Sequence, residues 1–375
     1  MDALTERLQK FLDERDAVNA LRILKTDVYG IDFSSNDYLG FAQDANLQQI
    51  ILQHLQSLNQ FGSGGSRLLT GNNILVEEVE KALAIFHQSE SALFFNSGYE
   101  ANVGLISTVC RRGDLIVYDA LCHASLREGI QLSNAKSVSF THNDLQLLEK
   151  QLQAEVNQKF IITESVFSMD GDMCPLVQIV SLAKKYNANI ILDEAHGTGV
   201  IGEKGEGLAQ HLNLHNAIFA RVHTFGKAIG FNGAVVLGNA VLRNYLINFC
   251  KPFIYTTAPN MLQLVAVHEA YKYLNQHATL VKKLQLLIRH FNTTSNDLQL
   301  PCIPSDSAIH CLVIPGNSNV KAMAQALSKN GFDVRPILSP TVPAGTERLR
   351  ICLHVFNTEE EITALLQTIK SLITP

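Results

Sequence analysis

The chain has 375 residues, of which 46% are hydrophobic and 17% are charged, and its formal net charge is −5. Such a length favours two domains, and such a composition excludes a disordered or fibrous protein. The sequence contains no basic run, no membrane-length apolar stretch and no visible signal peptide, so we expect a cytoplasmic protein that binds neither nucleic acid nor membranes.

The first 275 residues alternate between helix and strand patterns. An amphipathic N-terminal helix is predicted over residues 4–25, with a break around residues 16–19. The predicted strands are residues 31–33, 92–95, 115–118, 160–164, 190–192 and 234–237. The other predicted helices are residues 45–58, 75–87 and 239–249, and one that runs from about residue 261 past residue 273. This order implies a mostly parallel sheet with helices on both faces, which is the α/β class.

The pattern changes after about residue 275. Short strands over residues 308–314 and 349–354 alternate with helices over residues 320–330 and 358–373. Such a mixture predicts a smaller α+β domain. We therefore predict an N-terminal arm over residues 1–40, a large domain over residues 41–275 and a small C-terminal domain over residues 276–375.

Near the middle of the chain, the apolar strand 190–192 leads into Asp193-Glu194-Ala195-His196-Gly197-Thr198-Gly199, and Lys227 follows 31 residues after His196. A lysine amine forms a Schiff base with an aldehyde cofactor. A carboxylate beneath the ring of pyridoxal phosphate (PLP) keeps the ring nitrogen protonated, and Asp193 stands at a strand end suited to that role. Alone, Asp193 is also consistent with a helix cap and Lys227 with a solvated surface lysine. Together they predict a PLP site.

Two histidines and a serine are candidates for contacts to the cofactor ring. His196 follows Asp193 by three residues and could reach the phenolic oxygen of the ring. His123 follows a predicted strand, where a flat imidazole could stack on the ring. Ser168 lies in a polar segment after the next strand and could hydrogen-bond to the cofactor. The alternatives are that His123 has only a structural role and that the segment around Ser168 is an ordinary acidic turn.

The phosphate requires its own set of donors. Gly98 and Tyr99 open a predicted helix, whose first backbone N–H groups attract phosphate. Thr224 lies three residues before Lys227, and helical spacing would place both side chains on one side. Thr256 is a further hydroxyl in a strand-like stretch. The alternatives are that the residues before the helix serve only as its cap and that the threonine in the strand-like stretch has only a structural role.

Three other features bear on function. The seven cysteines are scattered without CxxC spacing, so we predict reduced thiols and no metal site. The segment Gly62-Ser63-Gly64-Gly65-Ser66-Arg67 lacks the lysine of a nucleotide-binding P-loop, which favours a loop that lines a site. Arg348 and Arg350 share one face of a predicted strand, where a guanidinium could pair with a substrate carboxylate or simply be solvated.

Six motifs are spread along the chain, at residues 35–40, 62–67, 123–126, 167–171, 193–199 and 224–227. Together they resemble those of the α-oxoamine synthase family, PLP enzymes of fold type I, and the resemblance covers nearly the whole chain. It implies that Lys227 carries the cofactor and moves the substrate proton, and that Asp193 pairs with the ring nitrogen. It also implies that His123 stacks on the ring, while His196 and Ser168 face its phenolic oxygen.

The same resemblance implies a homodimer with the site between subunits. Gly98, Tyr99 and Thr224 would then lie at the phosphate, joined by Thr256 of the partner subunit. The residues implied to bind substrate are Arg22, Asn36, His123, Thr341 and Arg350, with Arg350 on the amino-acid carboxylate.

Within the family, Thr224-Phe225-Gly226-Lys227 and Pro340-Thr341-Val342-Pro343-Ala344-Gly345 are most similar to one branch. That branch condenses L-alanine with a pimeloyl thioester, carried on coenzyme A or an acyl carrier protein, and releases CO2 during biotin synthesis. Leu338 departs from the branch, which commonly has an arginine there, and Arg335 lies three residues away. The alternatives are a sibling branch that makes aminoketobutyrate, aminolevulinate or ketosphinganine, and a non-catalytic binding or scaffold protein that keeps the fold.

Overall fold

The structure, a computed structural model, describes residues 2–24, 26 and 30–373. The chain forms two compact units. The larger unit comprises Asn36–Ser168 and Met173–Leu284, and the smaller unit comprises Met1–Ser35, Met169–Asp172 and Gln285–Pro375. The predicted division at residues 40 and 275 stays a prediction.

Strands and helices alternate along most of the described chain. The strands are β1 (Ile31–Asp32), β2 (Ser91–Phe95), β3 (Leu115–Asp119), β4 (Lys136–Phe140), β5 (Lys159–Glu164), β6 (Ala188–Asp193), β7 (Ala220–Thr224), β8 (Ala234–Gly238), β9 (Cys302–Ile303), β10 (Ile309–Val313), β11 (Phe332–Asp333), β12 (Arg335–Ile337) and β13 (Arg348–Cys352). The helices are α1 (Ala3–Ala17), α2 (Ala45–Gln56), α3 (Ile74–Phe86), α4 (Gly98–Val109), α5 (Ala124–Leu132), α6 (Leu145–Leu152), α7 (Leu176–Tyr186), α8 (Leu208–His211), α9 (Ala240–Phe249), α10 (Lys251–Ile254), α11 (Met261–Gln276), α12 (Thr279–Asp297), α13 (Asn317–Lys329) and α14 (Glu359–Ile373).

The larger unit is built on a sheet with the strand order β2-β8-β7-β6-β5-β3-β4. Strand β8 is antiparallel to both of its neighbours, and the other pairs are parallel. Ile162 and Ile191 pack in one apolar cluster with Leu105 of α4. Ile161 and Ile190 lie one position away on the same strands and are buried on the opposite face. Because both faces are covered, the strands are nearly continuous apolar runs, and the predicted α/β class is confirmed.

The parallel strands carry polar residues where they end. Asp119, Glu164, Asp193 and Thr224 are the last residues of β3, β5, β6 and β7. In open α/β sheets, ligands bind beyond the carboxyl ends of the strands. The fold therefore gathers polar side chains at the edge of the sheet where a ligand site is expected.

The smaller unit contains an antiparallel sheet with the order β12-β13-β10-β9 and a parallel pair, β1-β11. Arg350 of β13 lies opposite Cys311 of β10 and Arg335 of β12. Leu327 of α13 and Leu366 of α14 are fully buried. This combination of an antiparallel sheet and helices confirms the predicted α+β class of the smaller part.

The N-terminal segment differs in part from its prediction. Helix α1 ends at Ala17, and Asn19 adopts a left-handed backbone with a φ of 53°, which fits the predicted break. The predicted helical continuation is wrong for Leu21 and Leu24, which are not helical, and residue 25 lies outside the described residues. The apolar side chains of α1 remain largely exposed, and none of its residues is buried. None of the helices in the described ranges combines the length and the apolar character needed to cross a membrane.

Two strands of the large sheet, β4 and β7, and the short strands β9, β11 and β12 were not predicted, and one segment predicted as strand-like is irregular. Strand β4 lies at the sheet edge and is mostly exposed, so it lacks an apolar run. Strand β7 contains the buried polar residues Arg221 and His223, and Arg221 donates to the backbone carbonyl of His87 at 2.6 Å. Thr256 follows α10 in an irregular segment, so its predicted strand-like conformation is wrong.

Candidate active site

Lys227 and His196 meet at the polar edge of the large sheet. Lys227 lies in the turn after β7, and its Nζ is 2.8 Å from Nε2 of His196. His196 is 4% exposed in the turn after β6, and its Nδ1 is 2.7 Å from the hydroxyl of Tyr38. The Tyr38 hydroxyl donates a hydrogen bond to Oδ1 of Asn36 at 3.1 Å. Lys227 and His196, two of the residues predicted to act at the cofactor, are therefore in direct contact.

Asp193 is held in one orientation by two donors. Its carboxylate is 4% exposed and accepts hydrogen bonds from Nδ2 of Asn102 at 2.7 Å and from the backbone N–H of Ala195 at 2.8 Å. Asn102 projects from α4, and its Nδ2 also donates to the Ser125 hydroxyl at 3.0 Å. Charge-assisted bonds of this kind fix a carboxylate in place. Helix α4 therefore orients Asp193 through Asn102, and the same helix begins with the predicted phosphate residues Gly98 and Tyr99.

His123 stands at the start of α5, beside Asp193. Its backbone N–H donates to Oε1 of Glu164 at 2.6 Å, and its ring Nδ1 is 2.8 Å from the Ser125 hydroxyl. Burial lowers the pKa of His123, the positive charge of Lys227 lowers it further, and the negative charge of Asp193 acts in the opposite direction. The ring is therefore neutral near pH 7, which suits a flat group that stacks on another ring.

Glu164 forms a buried pair of carboxyl groups with Asp193. The two residues are register partners on β5 and β6. Burial, followed by the negative charge of Asp193, raises the pKa of Glu164 from its ordinary value of 4.5 to about 8. Glu164 is therefore mainly protonated at neutral pH. The pair then has a single negative charge at the end of the sheet.

Replacing Glu164 with glutamine should remove a pH-dependent contribution to stability. The folded protein holds this proton more tightly than the unfolded chain, so the contribution of Glu164 to stability falls as the pH rises from about 4.5 to about 8. Glutamine does not titrate. Between pH 5 and pH 8 we expect the free energy of unfolding of the wild type to fall by roughly 2–4 kcal/mol relative to that of Glu164→Gln.

Urea unfolding of the cofactor-free proteins at the two pH values measures this difference. Glu155→Gln, at an exposed position, is the matched control and should keep the pH dependence of the wild type. Identical pH dependence in Glu164→Gln and the wild type would contradict the protonation of Glu164.

The predicted phosphate end lies where α4 begins. Gly98 is the first residue of α4, and a Cβ added to it would be 3.1 Å from Oγ1 of Thr224, so these two residues are adjacent. The first N–H groups of a helix have no acceptor within the helix and attract anions. Thr224 ends a strand, so the prediction that helical spacing aligns it with Lys227 is wrong. Its hydroxyl donates to the carbonyl of Gly233 at 3.2 Å.

The remaining predicted cofactor residues are more dispersed. Tyr99 is 44% exposed and its hydroxyl bonds to Glu128. Thr256 accepts a hydrogen bond from Nδ2 of Asn96 at 3.3 Å. Asn96 directly precedes Ser97, the residue that caps α4. Ser168 is half-buried in the segment after β5. Their roles toward a cofactor stay predictions.

The chemistry of this edge fits PLP. An amine on Lys227 is available for covalent attachment, and Asp193 is an oriented carboxylate for the ring nitrogen. Helix α4 begins next to Thr224, and the first N–H groups of a helix attract the negative charge of a phosphate. Gly98 leaves open the space that a side chain would take beside Thr224. The donors and acceptors thus match the amine-reactive, ring and phosphate parts of the cofactor.

The predicted substrate residues divide between the two units. In the smaller unit, Nη2 of Arg22 donates to the hydroxyl of Thr341 at 3.1 Å, so the structure brings this pair together. Arg350, also in the smaller unit, is 8% exposed, and its Nη1 donates to Sγ of Cys352 at 2.9 Å. Asn36 lies in the larger unit against Tyr38.

The segment around the Leu338 departure belongs to the smaller unit as well. Leu338 follows β12 and is half-buried. Arg335, three residues earlier, donates to Oδ2 of Asp333 at 3.2 Å and lies directly opposite Arg350. The smaller unit therefore places two arginine residues opposite each other on adjacent strands.

Three residues of the site had no predicted role. Tyr38 lies within the 35–40 motif, which was the only sequence signal for it. Asn102 is a buried amide inside α4, and Ser125 is a buried hydroxyl in the first turn of α5. A single sequence does not distinguish these polar residues from those on exposed helical faces, because the distinction depends on which face is packed.

The model of the family "Aminotransferase class I and II" matches residues 29–369. The chain belongs to this family. An 8-amino-7-oxononanoate synthase from Emericella nidulans is 42% identical over 98% of this chain and 94% of the relative. The family resemblance inferred from the motifs is thus confirmed.

Two solved structures agree with this membership. A serine palmitoyltransferase variant from S. paucimobilis, solved with bound PLP, has a TM-score of 0.88 and 28% identity over 99% of this chain and 96% of that chain. An 8-amino-7-oxononanoate synthase from Francisella tularensis has a TM-score of 0.80 and 29% identity over 92% of this chain and 98% of that chain. The predicted fold type of PLP enzymes is therefore confirmed.

Proposed function

We propose that the chain is a PLP-dependent acyltransferase that condenses L-alanine with a pimeloyl thioester, releases CO2 and forms 8-amino-7-oxononanoate. The observation that carries the proposal is the contact of Lys227 with His196 at the sheet edge that ends in Asp193. The relative from Emericella nidulans, 42% identical over 98% of this chain, supports the choice of reaction. The substrates belong to the amino acids and the acyl thioesters.

When bound, PLP supplies an aldehyde that links covalently to amines and a ring that withdraws electrons from the α-carbon of an attached amino acid. Lys227 provides the amine that holds the cofactor between turnovers. The same Nζ would act as the general base for the α-proton of the substrate. His196 Nε2, 2.8 Å from Nζ, orients this amine.

Asp193 keeps the ring nitrogen protonated in this proposal. Its carboxylate is fixed by Asn102 and by the backbone of Ala195, so it does not have to reorient during the reaction. The raised pKa of Glu164 keeps this second carboxyl group neutral near pH 7. Asp193 is therefore the charged member of the pair that faces the ring.

His123 covers the ring in the proposal, and Ser168 and His196 face its phenolic oxygen. Gly98, Tyr99 and Thr224 would hold the phosphate; Gly98 begins α4 and lies next to the Thr224 hydroxyl.

Charged and polar side chains bind the substrates in this proposal. Arg22, Asn36, His123 and Thr341 hold the substrates, and Arg350 pairs with the amino-acid carboxylate, for which a guanidinium has the matching geometry. We propose a homodimer in which Thr256 of the partner subunit joins the phosphate site. The acyl carrier is coenzyme A or an acyl carrier protein, and the compartment is the cytoplasm.

A sibling reaction is the second candidate, because the serine palmitoyltransferase has a TM-score of 0.88. Titrating the PLP-loaded protein with alanine, glycine and serine, with and without pimeloyl thioester, distinguishes the two. We expect alanine to change the cofactor absorbance, and pimeloyl thioester to be consumed only when alanine is present. Consumption with glycine or serine and not with alanine would replace the proposal by the sibling reaction. A protein that neither binds PLP nor changes with any amino acid would favour a scaffold.

A further inference from the structure

Tyr38, His196 and Lys227 form a chain of hydrogen bonds inside the larger unit. The Tyr38 side chain is fully buried, and its hydroxyl donates to Oδ1 of Asn36 at 3.1 Å. The same hydroxyl is 2.7 Å from Nδ1 of His196, and Nε2 of His196 is 2.8 Å from Nζ of Lys227. Both links of His196 have short hydrogen-bond distances, and the link from Tyr38 to Asn36 is the longest of the three.

The proton count along this chain determines the form of the imidazole. A phenol has one proton, and Tyr38 gives it to Asn36. The phenolic oxygen can therefore only accept from His196, which requires a proton on Nδ1. In a neutral imidazole, Nε2 then has the lone pair. Lys227 donates an N–H to that lone pair whether its amine is neutral or protonated.

We propose that Tyr38 is a positioning residue that fixes His196 as the Nδ1–H tautomer, so that Nε2 always presents an acceptor to the amine of Lys227. The inference rests on the proposed function, in which Lys227 moves the α-proton. An acceptor at Nε2 orients the amine and stabilises the proton that Lys227 receives. The opposite tautomer would direct an N–H of His196 at Lys227 and would weaken it as a base.

Tyr38→Phe tests the inference because it removes only the hydroxyl. The ring still fills the buried space, but Nδ1 of His196 loses its acceptor, and both tautomers become accessible. We expect kcat with alanine and pimeloyl thioester to fall about 10- to 100-fold, within the range that a well-placed proton transfer contributes. The KM for alanine should change less than about threefold, because binding of the ground state is not altered.

The matched control is Tyr271→Phe. Tyr271 is also buried in the larger unit, and its hydroxyl contacts Nε2 of another buried histidine, His87, at 3.0 Å. Removing this hydroxyl breaks an equivalent tyrosine–histidine contact away from Lys227. Tyr271→Phe should lower the thermal stability and keep kcat. If kcat fell equally in both variants, the loss would come from a general structural change and not from the tautomer of His196, and the inference would be wrong.

A readout that does not depend on turnover is the tautomer itself. In ¹⁵N-histidine-labelled, cofactor-free full-length protein, long-range ¹H–¹⁵N spectra distinguish the two ring nitrogens, and comparison with His196→Gln assigns His196. We expect the Nδ1–H form in the wild type and in Tyr271→Phe, and a mixture in Tyr38→Phe. An Nε2–H form in the wild type, or an unchanged tautomer in Tyr38→Phe, would overturn the inference. So would a changed tautomer with unchanged kcat.

The two readouts separate this inference from the proposed function. If the wild type makes no product from alanine and pimeloyl thioester, the proposed function fails. The tautomer spectra then still decide whether Tyr38 sets the form of His196.

Discussion

A Lys227→Ala variant is expected to lose turnover by about 10⁴-fold or more. The substitution removes the amine that attaches the cofactor and the base that takes the α-proton, and general acid–base catalysis alone contributes about 10²- to 10⁴-fold. The lost amine is the one that lies 2.8 Å from Nε2 of His196. The rate of thiol release from pimeloyl thioester in the presence of alanine measures the effect.

Lys204→Ala is the matched control for this experiment. Lys204 is an exposed lysine of the same unit, and its substitution should leave the rate unchanged. Borohydride treatment adds an independent observation, since it should fix PLP to Lys227 in the wild type and to no residue in Lys227→Ala. If Lys227→Ala kept more than about 1% of the wild-type rate, the assignment of Lys227 would be wrong.

Asp193→Asn is expected to lower kcat by about 10²- to 10³-fold while the protein still binds PLP. A neutral amide of the same shape cannot keep the ring nitrogen protonated, so the ring becomes a weaker electron sink. The amide has the same shape and its oxygen can still accept from Asn102, while the hydrogen bond from the backbone N–H of Ala195 is lost. Steady-state rates with alanine, together with the pH dependence of the cofactor absorbance, measure the loss.

Asp119→Asn provides the comparison for Asp193→Asn. Asp119 is a fully buried aspartate at the end of β3, which β5 separates from β6, and it accepts hydrogen bonds from the backbone N–H groups of Leu121 and Asn143. Its substitution should lower stability and leave kcat within about threefold of the wild type, because Asp119 has no role toward the ring. Equal kcat losses in the two variants would show that any buried carboxylate at this edge has the same effect, against the proposed role of Asp193.

The apolar strands of the large sheet were the most predictable part of the fold. Residues 190–192 form an apolar run that is buried on both sides, and such a run is typical of a parallel strand covered on both faces. Asp193 follows such a run directly, so its place at the sheet edge was readable from the sequence. Strand β7 was not, because Arg221 and His223 are polar and their burial depends on partners from distant segments.

The site was predictable where a residue type is required by the chemistry. Lys227, Asp193 and His196 are the types that PLP chemistry needs, and the structure gathers them at one edge. Tyr38 lies 158 positions before His196 in the chain, and only the folded structure shows that its hydroxyl meets Nδ1. The neutral form of Glu164 was likewise unreadable, because its pKa depends on burial and on Asp193 across the strand pair.

The most direct test of the central claim is a labelling experiment with the PLP-loaded wild-type protein, alanine labelled with ¹³C at its carboxyl carbon, and pimeloyl thioester. Mass spectrometry follows the product and the released gas. The proposed function predicts one ¹³CO2 and one unlabelled 8-amino-7-oxononanoate for each thiol released. Label retained in the product, or thiol release without either product, would contradict it.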